Sequence, residues 1–263
     1  MDRPYWQRQE PDKPLFPDLL WGRPENRLHA GKLLIVGGNS FGFAAAAEAY
    51  GESIKAGVGT PRVLLPDGLY KTVSKIFPPA EYAPSTRSGS FAKQSLAELL
   101  SLASWGDATV LAGDLGRNSE TAVLLESFLE KYHSQLAIVQ DAVDYCMNMP
   151  LEVLDRDQTT LVVTMSQLQK LAVAARFTTA FTSQMDFLPI IETLHQFTKL
   201  HQANIVLVHE QTTYIAVNGR VSTTKTDDEQ IIKIASHAAV WLMQNPSKPF
   251  EALTAGVAFF AEY

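Results

Sequence analysis

The stretch KLLIVGGNSFGFAAAAEAYGESIKAGVGT, Lys32 to Thr60, decides the fold. Leu33 to Val36 form a short aliphatic run bounded by glycines, the pattern of a buried strand. Gly37 and Gly38 allow a sharp turn or the close approach of a ligand, because no Cβ stands in the way. Ala44 to Ala47 then open a helix whose small side chains let it lie close to a sheet, and whose first N–H groups have no partner within the helix. A strand, a glycine turn and a helix start form an arrangement that can hold an anion or a nucleotide. The same arrangement also serves as the plain turn of any βα unit.

Outward from this unit, aliphatic runs alternate with helical patterns. Strands are predicted at 32–36, 61–65, 108–112, 136–140, 160–164 and 204–208, and helices near 41–56, 90–104, 119–133, 166–180 and 186–202. Such alternation implies a mostly parallel sheet covered by helices on both faces. Asn218-Gly219 between Tyr214–Val217 and Arg220–Thr223 is a strong two-residue hairpin signal. Two further helices follow at about 229–244 and 249–261, separated by Asn245-Pro246. Residues 1–30 read as an irregular arm with Trp6, Phe16, Leu19, Leu20 and Trp21 as anchors, and 31–263 as a single α/β domain.

Composition narrows the function. The 263 residues are 46% hydrophobic and 19% charged, an ordinary globular balance that supports a sizeable core. A net charge of −6 without Lys/Arg clusters argues against a nucleic-acid partner, since backbone binding needs clustered cations. No apolar run is long enough to span a bilayer, and the polar, Pro-rich start carries no apolar signal core, so a cytoplasmic protein is expected. Cys146, the only cysteine, has no disulfide or CxxC partner, and no metal site is expected.

Four passages, in order, carry a family resemblance: GGNSFGFAAAA (37–47) with KAGVGT (55–60), ATVLAGDLGRN (108–118), AIVQDAVDY (137–145) and NPSKPFEALTAGVAF (245–259). Together they resemble the ADP-dependent NAD(P)H-hydrate dehydratase family, over roughly residues 20 to 263. The resemblance implies a ribokinase-like (carbohydrate-kinase-like) fold, a three-layer α/β/α sandwich with a mostly parallel central sheet. It implies an enzyme that removes water from hydrated NADH or NADPH at the expense of ADP or ATP, and a tetramer. By position, Ala45 and Gly116 match residues that contact the hydrated cofactor, and Asp141 matches an aspartate at a strand's C-terminal end. Gly37, Gly38, Asn39 and Gly113 complete the expected cofactor-binding set. Each has a plain alternative: Ala45 as a close-packing helix residue, Gly116 as a left-handed turn, Asp141 as a helix N-cap.

The chain departs from the pattern where the nucleotide phosphates would sit. No glycine occurs in KTDDEQIIKIASHAAV (225–240), where the resemblance calls for Gly-Thr-Gly-Asp and its helix-start anion hole. Asp227 and Asp228 are the candidates for the missing catalytic carboxylate, with helix capping as their alternative role. Thr164 is followed by Met165, Ser166 and Gln167, where the family pattern carries a histidine and a glutamate. Val208, His209 and Glu210 stand where a Lys-Gly-Ala would hold the nucleotide, and Asp114 replaces a loop proline. Glu210 and Asp114 both add negative charge that would repel phosphate. His209 is either an acid/base group or a surface histidine at a strand end.

The reading favoured by these losses is a divergent relative, a pseudoenzyme with a degraded ADP/ATP site, possessing little or no dehydratase activity and binding a dinucleotide-like small molecule such as NAD(P)H or its hydrate. The alternatives are an active hydro-lyase in nicotinamide cofactor repair and a small-molecule kinase. Homo-oligomerisation, as a tetramer, is expected to use the Ala-rich helix near 44–50 and the aromatic arm. The Gly37–Gly38 turn and the Gly113–Gly116 loop are expected on one edge of the sheet, because parallel strands send their following loops to the same side.

Overall fold

A computed structural model of the chain describes residues 3–10, 13–226 and 230–262. The strands are β1 (Trp6–Arg8), β2 (Lys32–Gly37), β3 (Thr60–Pro66), β4 (Ala80–Ala83), β5 (Ala108–Gly113), β6 (Gln135–Val139), β7 (Thr159–Thr164), β8 (Asn204–His209), β9 (Thr212–Val217) and β10 (Arg220–Lys225). The helices are α1 (Pro17–Trp21), α2 (Ala44–Lys55), α3 (Tyr70–Val73), α4 (Leu96–Trp105), α5 (Ser119–Lys131), α6 (Asp141–Tyr145), α7 (Pro150–Leu154), α8 (Met165–Ala174), α9 (Phe187–Leu200), α10 (Ile231–Gln244) and α11 (Pro249–Glu262). The strands form one ten-stranded sheet in the order β1-β10-β9-β8-β7-β6-β5-β2-β3-β4. Only β9, antiparallel to both β8 and β10, runs against the common direction.

Strand alternation sorts the core into two layers. Leu33 and Ile35 of β2 face α2 and α10 together with Ala45, Ala46, Ala49 and Val240. Leu34 and Val36 face the opposite side, where Leu99, Phe128, Leu168 and Phe197 of α4, α5, α8 and α9 pack. With residues buried on both faces, the central strands read as continuous aliphatic runs. The mostly parallel sheet with flanking helices is thus the expected three-layer α/β/α arrangement.

Several boundaries differ from those predicted. The helix expected from 41 begins at Ala44, because Asn39 and Gly42 close a tight turn on each other (N–H to C=O, 2.9 and 3.0 Å). The helix expected from 90 begins at Leu96, because residues 84–92 fold back through Thr86 N–H to Ser90 O (2.8 Å) and Ala92 N–H to Pro84 O (3.0 Å). The helix expected to reach 180 stops at Ala174: Arg176 turns left-handed at φ 56°, and Phe177 N–H returns to Ala172 O at 2.9 Å. That closure is a Schellman stop made without glycine, which left no signal in the sequence.

The arm is not irregular throughout. β1 pairs in parallel with β10, Trp6 opposite Val221, and the Trp6 indole N–H donates to Thr223 Oγ1 at 3.1 Å. Leu19 is buried as an anchor, whereas Trp21 is 88% exposed and anchors nothing. On the Ala-rich helix, Ala44 and Glu48 are exposed, while Ala45, Ala46 and Ala49 are buried against the sheet. Their small side chains serve to bring α2 close to β2 and β3.

Candidate functional site

The strand order reverses between β2 and β5: β3 and β4 lie to one side, β6 to β8 to the other. Open α/β sheets leave a crevice at such a switch point, outside the carboxyl ends of the strands. The Gly37–Gly38 turn and the Gly113–Gly116 loop meet there on one edge, with Gly38 N–H donating to Gly113 O at 2.9 Å. Neither contact tolerates a side chain. A Cβ on Gly37 would stand 2.6 Å from the Gly113 carbonyl oxygen, and Gly113 itself holds φ at 113°.

The polar groups of this rim are engaged with one another. The Asn39 amide donates to Asp114 O (2.6 Å), and its Oδ1 accepts Phe41 N–H (2.7 Å). Asp114 Oδ2 accepts the N–H of Ala45 in the first turn of α2 at 2.8 Å. Phe43, the N-cap residue of α2, provides no side-chain cap, so Asp114 supplies one from a neighbouring loop. The sequence suggested a carboxylate facing the cleft as a free repulsive charge; the structure instead spends it on the helix start. Gly116 N–H is held by Asp141 Oδ2 (3.1 Å), and its carbonyl accepts the Tyr145 hydroxyl.

Asp141 is the first residue of α6 and not its N-cap, which is Gln140. Its carboxylate reaches back to the second loop, while Oδ1 lies buried with no hydrogen-bond partner among the described residues. Burial pushes the Asp141 carboxyl above its usual range, the Leu115 and Gly116 N–H groups pull it down, and Asp114 and Asp144 add to the rise. Around the rim folds a segment that the sequence did not single out: Ser40 N–H donates to Gly89 O (2.9 Å), and Asn118 Nδ2 to Ser88 Oγ (2.9 Å). Asp227 and Asp228 fall outside the described residues.

At the end of β8 the chain turns back into β9 through Glu210 and Gln211, both left-handed at φ 47° and 56°. Neither is a residue that announces such a turn, so the β8–β9 hairpin was not legible. His209 is largely buried, its Nε2 3.8 Å from Glu210 Oε1. Thr164 and Gln167, where the resemblance expects a different motif, form a capping box that starts α8. Gln167 Nε2 also donates to Gln140 O at 2.8 Å, tying α8 to the β6 end.

A cavity of about 920 Å³ opens beside that turn, between α2, α10 and the end of α11. Lys55, Lys225, Lys233, His237, Phe259 and Phe260 are among the residues lining it. The side chains of His237 and Glu52 are only 4% and 9% exposed, and their Nε2 and Oε2 lie 3.4 Å apart without hydrogen-bond alignment. Burial is the main cause that brings His237 down to about 4, against the pull of Glu52, so the imidazole is neutral at neutral pH and the contact is no salt bridge. Burial raises the Glu52 carboxyl, but the hydrogen bond and charge of Lys55, at 2.7 Å, outweigh it and leave it below the usual range. Sequence reading missed His237 because it sits on a helix that otherwise reads as core. Among the described residues no group of three or more His, Cys, Asp or Glu is placed to hold a metal ion, and no helix is long and apolar enough to cross a membrane.

Sheet order, layers and the single reversed strand β9 are those of the ribokinase-like fold. Among solved structures, a ribokinase-like superfamily protein from Enterococcus faecalis V583 superposes with a TM-score of 0.75 at 15% identity, over 99% of this chain and 88% of that one. The ADP/ATP-dependent NAD(P)H-hydrate dehydratase from Bacillus subtilis, co-crystallized with ATP/Mg2+, gives a TM-score of 0.61 at 12% identity, over 90% of this chain and 80% of that one. The phosphomethylpyrimidine kinase of Clostridium difficile 630 gives 0.55 at 10% identity, over 88% and 100%. No family model matches the chain, and no curated protein does.

Proposed function

We propose that this chain is a ligand-binding protein of the ribokinase-like fold that neither dehydrates hydrated NADH or NADPH nor transfers phosphate. The observation that carries the reading is Asp114 Oδ2 on the N–H of Ala45 at 2.8 Å. A helix start can stabilise a ligand anion only while its N–H groups are free, and here the chain's own carboxylate takes that place. The glycine-free 225–240 stretch supports the same reading, because backbone donors cannot close around a phosphate there as a glycine turn would allow. Each lost preorganised donor costs on the order of a hundredfold in rate, so several together suppress turnover.

A second reading rests on Asp141. A buried carboxyl with a raised pKa, at the switch point of the sheet, is the kind of group that acts as a general acid or base. NAD(P)H or its hydrate would then lie against Gly37, Gly38, Asn39, Ala45, Gly113 and Gly116. One spectrophotometric experiment separates the two: recovery of NADPH from its hydrate with ADP or ATP present. The expected result is no recovery above background. Robust turnover that disappears in Asp141→Asn establishes the second reading, and loss in Asp227→Ala or Asp228→Ala instead locates the catalytic carboxylate there.

A further inference from the structure

We propose that a cavity at the end of the sheet opposite the glycine loops binds a neutral polyhydroxylated ligand of monosaccharide size. The cavity, about 470 Å³ in volume, opens where β6 and β8 begin, beside the β9–β10 turn and the junction of α10 with α11. Gln135, Gln158, Gln202, Asn204 and Asn218 line it together with Asp157, and no lysine or arginine stands among the described lining residues. Five amides from four separate stretches of the chain are thus gathered around one space. This site lies apart from the rim of Gly37 and Gly113 and is independent of what that rim does.

Two of the amides are built into the protein. Gln135 and Asn204 are each 6% exposed; the Gln135 amide donates to Ala239 O at 3.0 Å, and that of Asn204 to Thr160 Oγ1 at 3.2 Å. These bonds hold both groups in place, while neither amide oxygen accepts a hydrogen bond among the described residues. Each is a fixed acceptor that a ligand hydroxyl can satisfy. Gln158, Gln202 and Asn218 stand at the exposed mouth, where their amides both donate and accept, as a hydroxyl does. An anionic ligand would meet Asp157 with no lining cation to offset it, so the ligand is neutral. Asp157 Oδ1 accepts the Gln158 N–H at 2.8 Å, which orients the carboxylate. Leu242, Pro246 and Pro249 form an apolar strip on which the C–H face of a sugar ring packs. The volume falls within the range of roughly 300–1,000 Å³ that small-molecule sites occupy.

The test is titration of the full chain with D-glucose, D-ribose and myo-inositol, read by NMR on the side-chain amide signals of an isotope-labelled sample, with glucuronate as the charged comparison. At least one of the three neutral compounds is expected to saturate in the millimolar range and to shift the Gln135 and Asn204 signals, and glucuronate to bind more weakly. Gln158 and Asn218 hold φ at 56° and 48°, so glycine at either position removes the amide and keeps the backbone. The double variant Q158G/N218G is therefore expected to melt no lower than the wild type and to lose about tenfold in affinity, the worth of two hydrogen bonds. Equal affinity in Q158G/N218G overturns the site. No saturable shift with any of the three overturns the ligand class, and glucuronate binding more tightly than all of them overturns its neutrality.

Discussion

His237 is an imidazole that the fold keeps neutral down to about pH 4, against an ordinary value of 6.5. Between those values the unfolded chain binds more protons, so the His237 contribution is complete above about pH 6.5 and falls as the solution is acidified. At about 1.4 kcal/mol per pH unit, the loss by pH 5 is roughly 2 kcal/mol. The groups that act on the ring are Glu52 and Lys55 of α2 and Arg23 of the arm. Thermal melts of the wild type and His237→Gln between pH 7 and pH 5 are expected to converge as pH falls; parallel curves would rule the effect out. Asp114 shows why such residue roles escape a sequence. Its negative charge could be read directly, but its partner, the Ala45 N–H, lies 69 positions earlier and is brought near only by the pairing of β2 with β5.

At the level of elements, the two glycine loops are locked by a backbone contact. Gly37→Ala would put a Cβ 2.6 Å from the Gly113 carbonyl oxygen, and the carbonyl cannot swing away without breaking its bond to Gly38 N–H. Gly113→Ala meets a left-handed φ and the Gln140 side chain at 2.6 Å. Each is expected to destabilise the protein by roughly 2 kcal/mol or more, read as a lower denaturant midpoint with unchanged slope. An unaltered midpoint in Gly37→Ala would mean that the loops are not held together this way. These glycines were legible because turn chemistry is local. The Schellman stop at Arg176 was not, because it is made without glycine, and the 84–92 fold-back, which does carry Pro84 and Gly89 (φ 79°), runs into a stretch that reads as the start of a helix.

Over the whole molecule, the aliphatic runs of β2, β5, β6, β7 and β8 revealed the sheet, since strands buried on both faces have little choice of residue. β4, with the sequence AEYA, and β1, with WQR, carry no such run; both lie at edges, where one flank is open and composition is free. The cavity beside α10 was equally hidden, because its lysines come from positions 55, 225 and 233 and converge only when α2, β10 and α10 pack.

The pairing of Trp6 with Val221 also sets an order in time. β1 finds its place only after β10, more than two hundred residues later, has been made. Until β1 docks, β10 has no partner on its outer side, and an open edge invites pairing with another chain. Contacts so distant in sequence are slow to close. Replacing Gln7 with proline, which removes a backbone N–H from β1, is therefore expected to slow the last refolding phase and to raise concentration-dependent aggregation during refolding, measured by stopped-flow fluorescence and light scattering. If the last phase and the scattering both match the wild type, the edge closes by some other route. Completion of this sheet is a late event, and its first residues must wait for its last.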